Sequence, residues 1–190
     1  MRRRDLLVAG TALFLVRQAL AQNRVRPDAQ KRRAGERVVT GAGESITFVI
    51  DRDAMLVRQN SSLELLRDGF RLVTGAVLSV FGPGGRRELK TTTATIGIRG
   101  TGVYLEAEPG RTYVCTCYGE AVLEPLDDPA ARETVRTRHH EQPRYIMASG
   151  APQMVMPAPV RNHSDAELEM LEALVGREPP FKGQGFPQYR

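Results

Sequence analysis

The chain has 190 residues, 41% of them hydrophobic, and carries 27 Lys/Arg against 22 Asp/Glu for a formal charge of +5. That length can bury one sizeable core, which favours a single domain over several. Aromatic residues make up only 6% of the chain, so the positive charge lacks the stacking rings that a nucleic-acid groove needs beside it.

The start, "MRRRDLLVAGTALFLVRQALAQ", reads as an export signal over residues 1–21. Arg2, Arg3 and Arg4 give a cationic start, Leu6 to Val16 an apolar core, and Ala19-Leu20-Ala21 a small-residue site for cleavage before Gln22. Arg17 interrupts the apolar run well short of the roughly 20 residues a membrane-spanning helix requires, so no stable span is expected after cleavage. Arg3-Arg4-Asp5-Leu6-Leu7 also resembles the twin-arginine export pattern. Removing the signal takes away four arginines and one aspartate, a net loss of three charges, so the formal charge falls to +2. Residues 22–35 are basic and read as a mobile, solvated leader.

From Glu36 the apolar pattern has a period near two. "SITFVI", "DAMLVR", "FRLVTGAVLSVF", "ATIGIRG", "GVYLEAE", "TYVCTCY" and "EAVLE" are short runs rich in β-branched and aromatic residues, punctuated by Gly, Asp, Asn and Pro. This predicts a mainly β domain over 36–150: a β-roll, a β-helix-like stack or a sandwich of short strands. There is no room for crossover helices, which argues against a nucleotide-binding α/β fold. "RVVTGA" at 37–42 and "RLVTGA" at 71–76 echo each other, and in each the Thr-Gly pair is expected to turn the chain after an apolar strand.

A Pro-rich connection is expected over 151–163, followed by one C-terminal helix over 164–176. Ser164 and Glu167 form a capping box; Leu168, Leu171, Leu174 and Val175 fall on one stripe, with Asp165, Glu167 and Glu172 off it. Residues 177–190 read as a loose tail unless Phe181, Phe186 and Tyr189 pack back.

"TTTATIGIRGTGVYLEAEPGRTYVCTCYGEAVL" is the most informative segment. Its clustered glycines lack the Gly-Lys-Ser/Thr ending and following helix of a phosphate loop, so they are turn and close-approach positions. Arg99, Gly100 and Thr101 form a corner, followed by "GVYLEAE" and then a strand reaching Gly119 and Val122. Over about residues 36–125 this order of strands resembles the FecR-like domain family of bacterial periplasmic proteins. The resemblance implies a periplasmic or secreted binding module, acting in envelope signalling or sensing through a protein partner. Family members that regulate sigma factors carry a cytoplasmic segment before a membrane span. Here only a few residues precede the apolar core, so sigma-factor regulation is not carried over.

Cys115 and Cys117 are the only cysteines, and strand alternation points them to one face with Thr116 opposite. Three readings stand open: two small buried hydrophobes, a strained disulfide, or two ligands of a metal site. His139, His140 and His163 are the candidate further ligands, for Zn²⁺ with imidazoles or for Cu(I) if the thioethers of Met154 and Met156 joined. Adjacent histidines on a strand face opposite sides, so at most one of His139 and His140 is expected beside the thiols. No catalytic set assembles from the sequence, so a non-enzymatic module is expected, with a metal-binding or thiol-redox protein as the alternative.

Overall fold

The computed structural model describes residues 30–189. The expected export signal and the first part of the leader lie outside the described residues. Among those described, twelve strands form one mixed sheet, and a single α-helix follows them. The strands are β1 (Gln30–Lys31), β2 (Arg37–Val39), β3 (Ile46–Ile50), β4 (Asp53–Val57), β5 (Ser62–Leu66), β6 (Gly69–Val80), β7 (Arg86–Lys90), β8 (Ala94–Glu108), β9 (Arg111–Pro125), β10 (Glu133–Thr137), β11 (Arg144–Met147) and β12 (Val155–Pro157). Helix α1 spans Asp165–Leu174. No helix of the described residues is long and apolar enough to cross a membrane.

Three long strands make the sheet a roll. The first half of β6 pairs with β5 and β7, while Val77–Val80 pairs with β4 and β8. Strand β8 likewise shifts from β7 to β6 along its length, and β9 passes from β11 to β10. Each long strand therefore belongs to two layers, and the sheet closes over its own inner face. Period-two alternation then sorts side chains between the two faces. In β4, Met55 and Val57 enter the inner core with Phe48, Phe70, Leu72 and Leu105, whereas Ala54 and Leu56 enter a second cluster on the outer face.

The long strands correct the expected chain reversals. Thr74-Gly75 does not turn the chain: β6 runs through it, and a register shift lets the strand change partners there. The Arg-Gly-Thr corner is likewise a bend within β8. Gly100 and Thr101 together face Gly119, one residue of β9, and a second irregularity leaves Cys117 outside the paired register. Gly100 (φ 58°) and Gly119 (φ 93°) accept the left-handed backbone this bulge imposes. Glycine's freedom thus kinks two continuous strands where the sequence suggested four separate ones.

The outer face is roofed by the C-terminal segment. Leu168 and Leu171 of α1 and Phe181 of the tail join Leu56, Leu78, Val80, Tyr104, Tyr113, Cys115, Cys117 and Tyr118 in one buried cluster. Ser164 and Glu167 complete the expected capping box. The apolar stripe is shorter than its spacing suggested: Leu174 is exposed, while the acidic Asp165 and Glu172 are buried. Glu172 is held there by the Tyr118 hydroxyl and by Arg177 Nε at 2.6 Å. The expected Pro-rich connection contains β12, which pairs with β11. The tail does pack back: Phe181 is buried, Phe186 lies against the cluster, and Tyr189 accepts from the Asp165 N–H at its carbonyl and donates its own N–H to the Asp165 carboxylate.

Candidate metal centre

Three chain segments converge beneath this roof. The first is β9, where Cys115 and Cys117 both face outward into the second cluster, as alternation requires; neither is exposed and both thiols are free. The second is the bend between β10 and β11. Here His139 and His140 do not lie on a strand, and His140 adopts φ 57°, a left-handed conformation uncommon for a side-chain-bearing residue. That backbone buries both rings instead of sending one to solvent, and His140 N–H donates to the Cys117 carbonyl at 2.9 Å. The third segment is the entry to α1, which supplies His163 and Asp165.

Cys115, Cys117, His140 and His163 each offer one ligand atom, and those atoms all lie within 4.8 Å of one another. Cys115 Sγ is 3.4 Å from His140 Nδ1, which is 3.0 Å from His163 Nε2. His139 stands outside this group. With His140 it flanks Asp165, whose carboxylate receives His139 Nε2 at 3.0 and 3.1 Å, His140 Nε2 at 3.0 Å and the Tyr189 N–H at 3.1 Å. Only one of the paired histidines joins the thiols, as the sequence suggested, but the cause is the bend and not strand alternation.

The surroundings are aromatic. Tyr104 stacks on His163 with ring centroids 4.6 Å apart, while Phe181, Phe186 and Tyr189 pack on His139 at 4.8, 4.8 and 5.2 Å. Burial pushes the Cys115 thiol up, but hydrogen bonding to Cys117, His140 and His163 outweighs it and holds Cys115 well below the ordinary thiol range. Burial and then the hydrogen bond to Cys115 drive Cys117 the other way, well above that range. Two adjacent buried thiols ionise unequally because the first negative charge opposes the second.

The other residues singled out by sequence sit elsewhere. Arg99 is exposed on β8 opposite Glu120. The bulge is tied by Thr101, whose hydroxyl bonds to the carbonyls of Arg99 and Glu120 at 3.0 Å each, and a side chain on Gly119 would collide with Gly100 and Thr101. Arg99, Gly100, Thr101 and Gly119 are thus a structural motif that bends β8 and β9, at a point two residues past Cys117 in β9. Met156 is exposed on β12, which separates it from the buried thiols. Sequence reasoning missed Asp165, whose place in the first turn of a capped helix made it look like a solvent-facing helix acid. The signal available was its spacing of two residues from His163.

No known protein-family description and no curated protein matches this chain. Solved structures do: two crystal structures of a "putative anti-sigma factor" from Parabacteroides distasonis superpose with TM-scores of 0.53 and 0.52, at 10% and 11% sequence identity. Each alignment covers 64% of this chain and 59% of that one, so the match spans well under two thirds of the neighbour's length. At such identity the likeness is one of fold: the rolled β domain is an architecture found in an anti-sigma-factor-like protein.

Proposed function

We propose that this chain is an exported, FecR-like binding module of the bacterial envelope, which acts in signalling or sensing by holding a protein partner and not by catalysing a reaction. The observation that carries this reading is the rolled sheet shared with the anti-sigma-factor-like structures, bent at the Arg99-Gly100-Thr101 bulge. Cys115, Cys117, His139, His140 and His163 are all buried, which suits a structural role for them; of these, His163 borders the open groove beside α1 and His139 a smaller cavity at the tail. Helix α1 and the tail spend their apolar faces on their own domain, which leaves recognition to another surface.

The surface best suited to it is an open groove of about 920 Å³ beside α1, lined by Arg58, Tyr104, Glu106, Asn162 and Glu167 among others. Its walls are mixed in polarity and carry both charge signs, as the rim of a protein interface does. A photo-crosslinking residue placed at exposed Thr74, on the groove, should capture one envelope protein that the same probe at exposed Asp127 does not. Equal labelling from both positions, or none, rejects the groove as a recognition face. Recovery of the chain from the periplasm with Gln22 as its first residue tests export; retention in the cytoplasm with Met1 intact rejects it.

A further inference from the structure

The hydrogen-bond partners of the two site histidines fix where their protons are. His163 Nδ1 lies 2.7 Å from the Arg161 carbonyl, which can only accept, so Nδ1 carries the proton and Nε2 presents a lone pair. His140 Nε2 lies 3.0 Å from the Asp165 carboxylate, which likewise accepts, so His140 presents its lone pair at Nδ1. Those two lone-pair nitrogens face each other at 3.0 Å, with Cys115 Sγ 3.4 Å from one of them and Cys117 Sγ in the same cluster. Two acceptors aimed at one point in a buried site repel unless something positive lies between them.

We propose that Cys115 Sγ, Cys117 Sγ, His140 Nδ1 and His163 Nε2 are the four ligands of a closed structural zinc site that fastens the C-terminal segment to the outer face of the roll. A tetrahedral ion with Zn–N of about 2.0–2.1 Å and Zn–S of about 2.3 Å sets its ligands about 3.3 Å apart for two nitrogens and about 3.6 Å for nitrogen and sulfur. The observed 3.0 and 3.4 Å fall a few tenths of an ångström short of that shell. Charge selects the ion: two thiolates and one dication cancel in a buried site, whereas Cu(I) leaves a net negative charge, and the S₂N₂ donor set is that of tetrahedral zinc. Asp165 is a positioning residue, fixing the His140 tautomer as carboxylates behind zinc-bound histidines do, and the Arg161 carbonyl does the same for His163. The left-handed backbone at His140 is a cost that a ligand bond can offset. This inference stands apart from partner binding, since metal content is read with no partner present.

The test uses the full chain purified without chelator. Elemental mass spectrometry should find about one zinc per chain, and the chelator-stripped protein reloaded with cobalt should show the visible bands of a tetrahedral ion with thiolate charge transfer. Cys117→Ser and His163→Gln should each abolish stoichiometric retention. Asp165→Asn should keep the cobalt spectrum while weakening zinc about 10–100-fold. If the ligand variants fail to fold, titration of the stripped wild-type chain decides alone. A chain that takes up no zinc on reloading, carries a Cys115–Cys117 disulfide, binds copper(I) in zinc's place, or holds zinc equally well in both ligand variants overturns the proposal.

Discussion

The two faces of the rolled sheet are built on different physics. The inner face is closed by strands alone and filled by aliphatic and phenyl side chains such as Leu63, Leu65, Phe70, Leu72 and Leu105. The outer face is closed by a helix and a tail, and beneath them lie tyrosines, cysteines, histidines and the buried carboxylates of Asp165 and Glu172. Hydrophobic burial is non-directional, so the inner face tolerates changes that keep volume. Each buried polar group on the outer face depends on a named partner, and loss of one strands the other. The inner face thus sets whether the chain folds, and the outer face sets whether it closes in one way.

The largest expected effect tests the inner face. Phe70 is fully buried and stacks on Phe81 with centroids 6.4 Å apart, so Phe70→Ala should cost about 3–5 kcal/mol in denaturant unfolding followed by far-ultraviolet circular dichroism. A loss under about 1 kcal/mol would mean that stability resides elsewhere, since a cavity of that size cannot be so cheap. A smaller effect should come from Tyr118→Phe, which withdraws the hydroxyl from buried Glu172 while leaving Arg177 in place. The expected cost is about 1–3 kcal/mol, with faster amide exchange confined to residues 164–189. Faster exchange spread equally through β2 to β5 would show the two faces opening as one unit.

The smallest effect is a pH dependence at the edge of the roof. Burial pushes the Glu167 carboxyl up, but Arg58, bonding both carboxylate oxygens at 2.7 and 2.8 Å, outweighs it and holds Glu167 below its ordinary 4.5. The folded chain therefore gives up this proton more readily than the unfolded one. The contribution is present in full above pH 4.5 and is lost as the pH falls through the lower folded value. Glu167→Gln should flatten the decline in melting temperature across that acid window; identical slopes in parent and variant would remove the pair from the account.

Much of the inner face was legible in the sequence, because alternation acts locally: "SITFVI" and "DAMLVR" became β3 and β4 almost residue for residue. Reversals were harder. Thr-Gly and Arg-Gly-Thr are compatible with a turn or a bulge, and only the partners across the sheet decide between them. At the site, the four ligand residues were visible as residue types, yet their convergence depends on the bend at His140 and on a helix entry 23 residues later. Asp165 and Glu172 were misplaced because helical periodicity cannot see a buried partner such as His139 or Tyr118 arriving from a distant segment of the chain.

The convergence of three distant segments also fixes an order of events in time. Strands β8 and β9 are joined by a two-residue turn at Pro109-Gly110 and need close only a short loop to pair. The apolar cover over Cys115 is completed by Leu168, Leu171 and Phe181, which the chain reaches more than 50 residues later. Contacts of such separation form late, after the local hairpin has fixed the register on which they land. During synthesis the roll therefore passes through an interval with its outer face bare. In that interval the two thiols, buried in the finished molecule, are open to oxidants and chaperones.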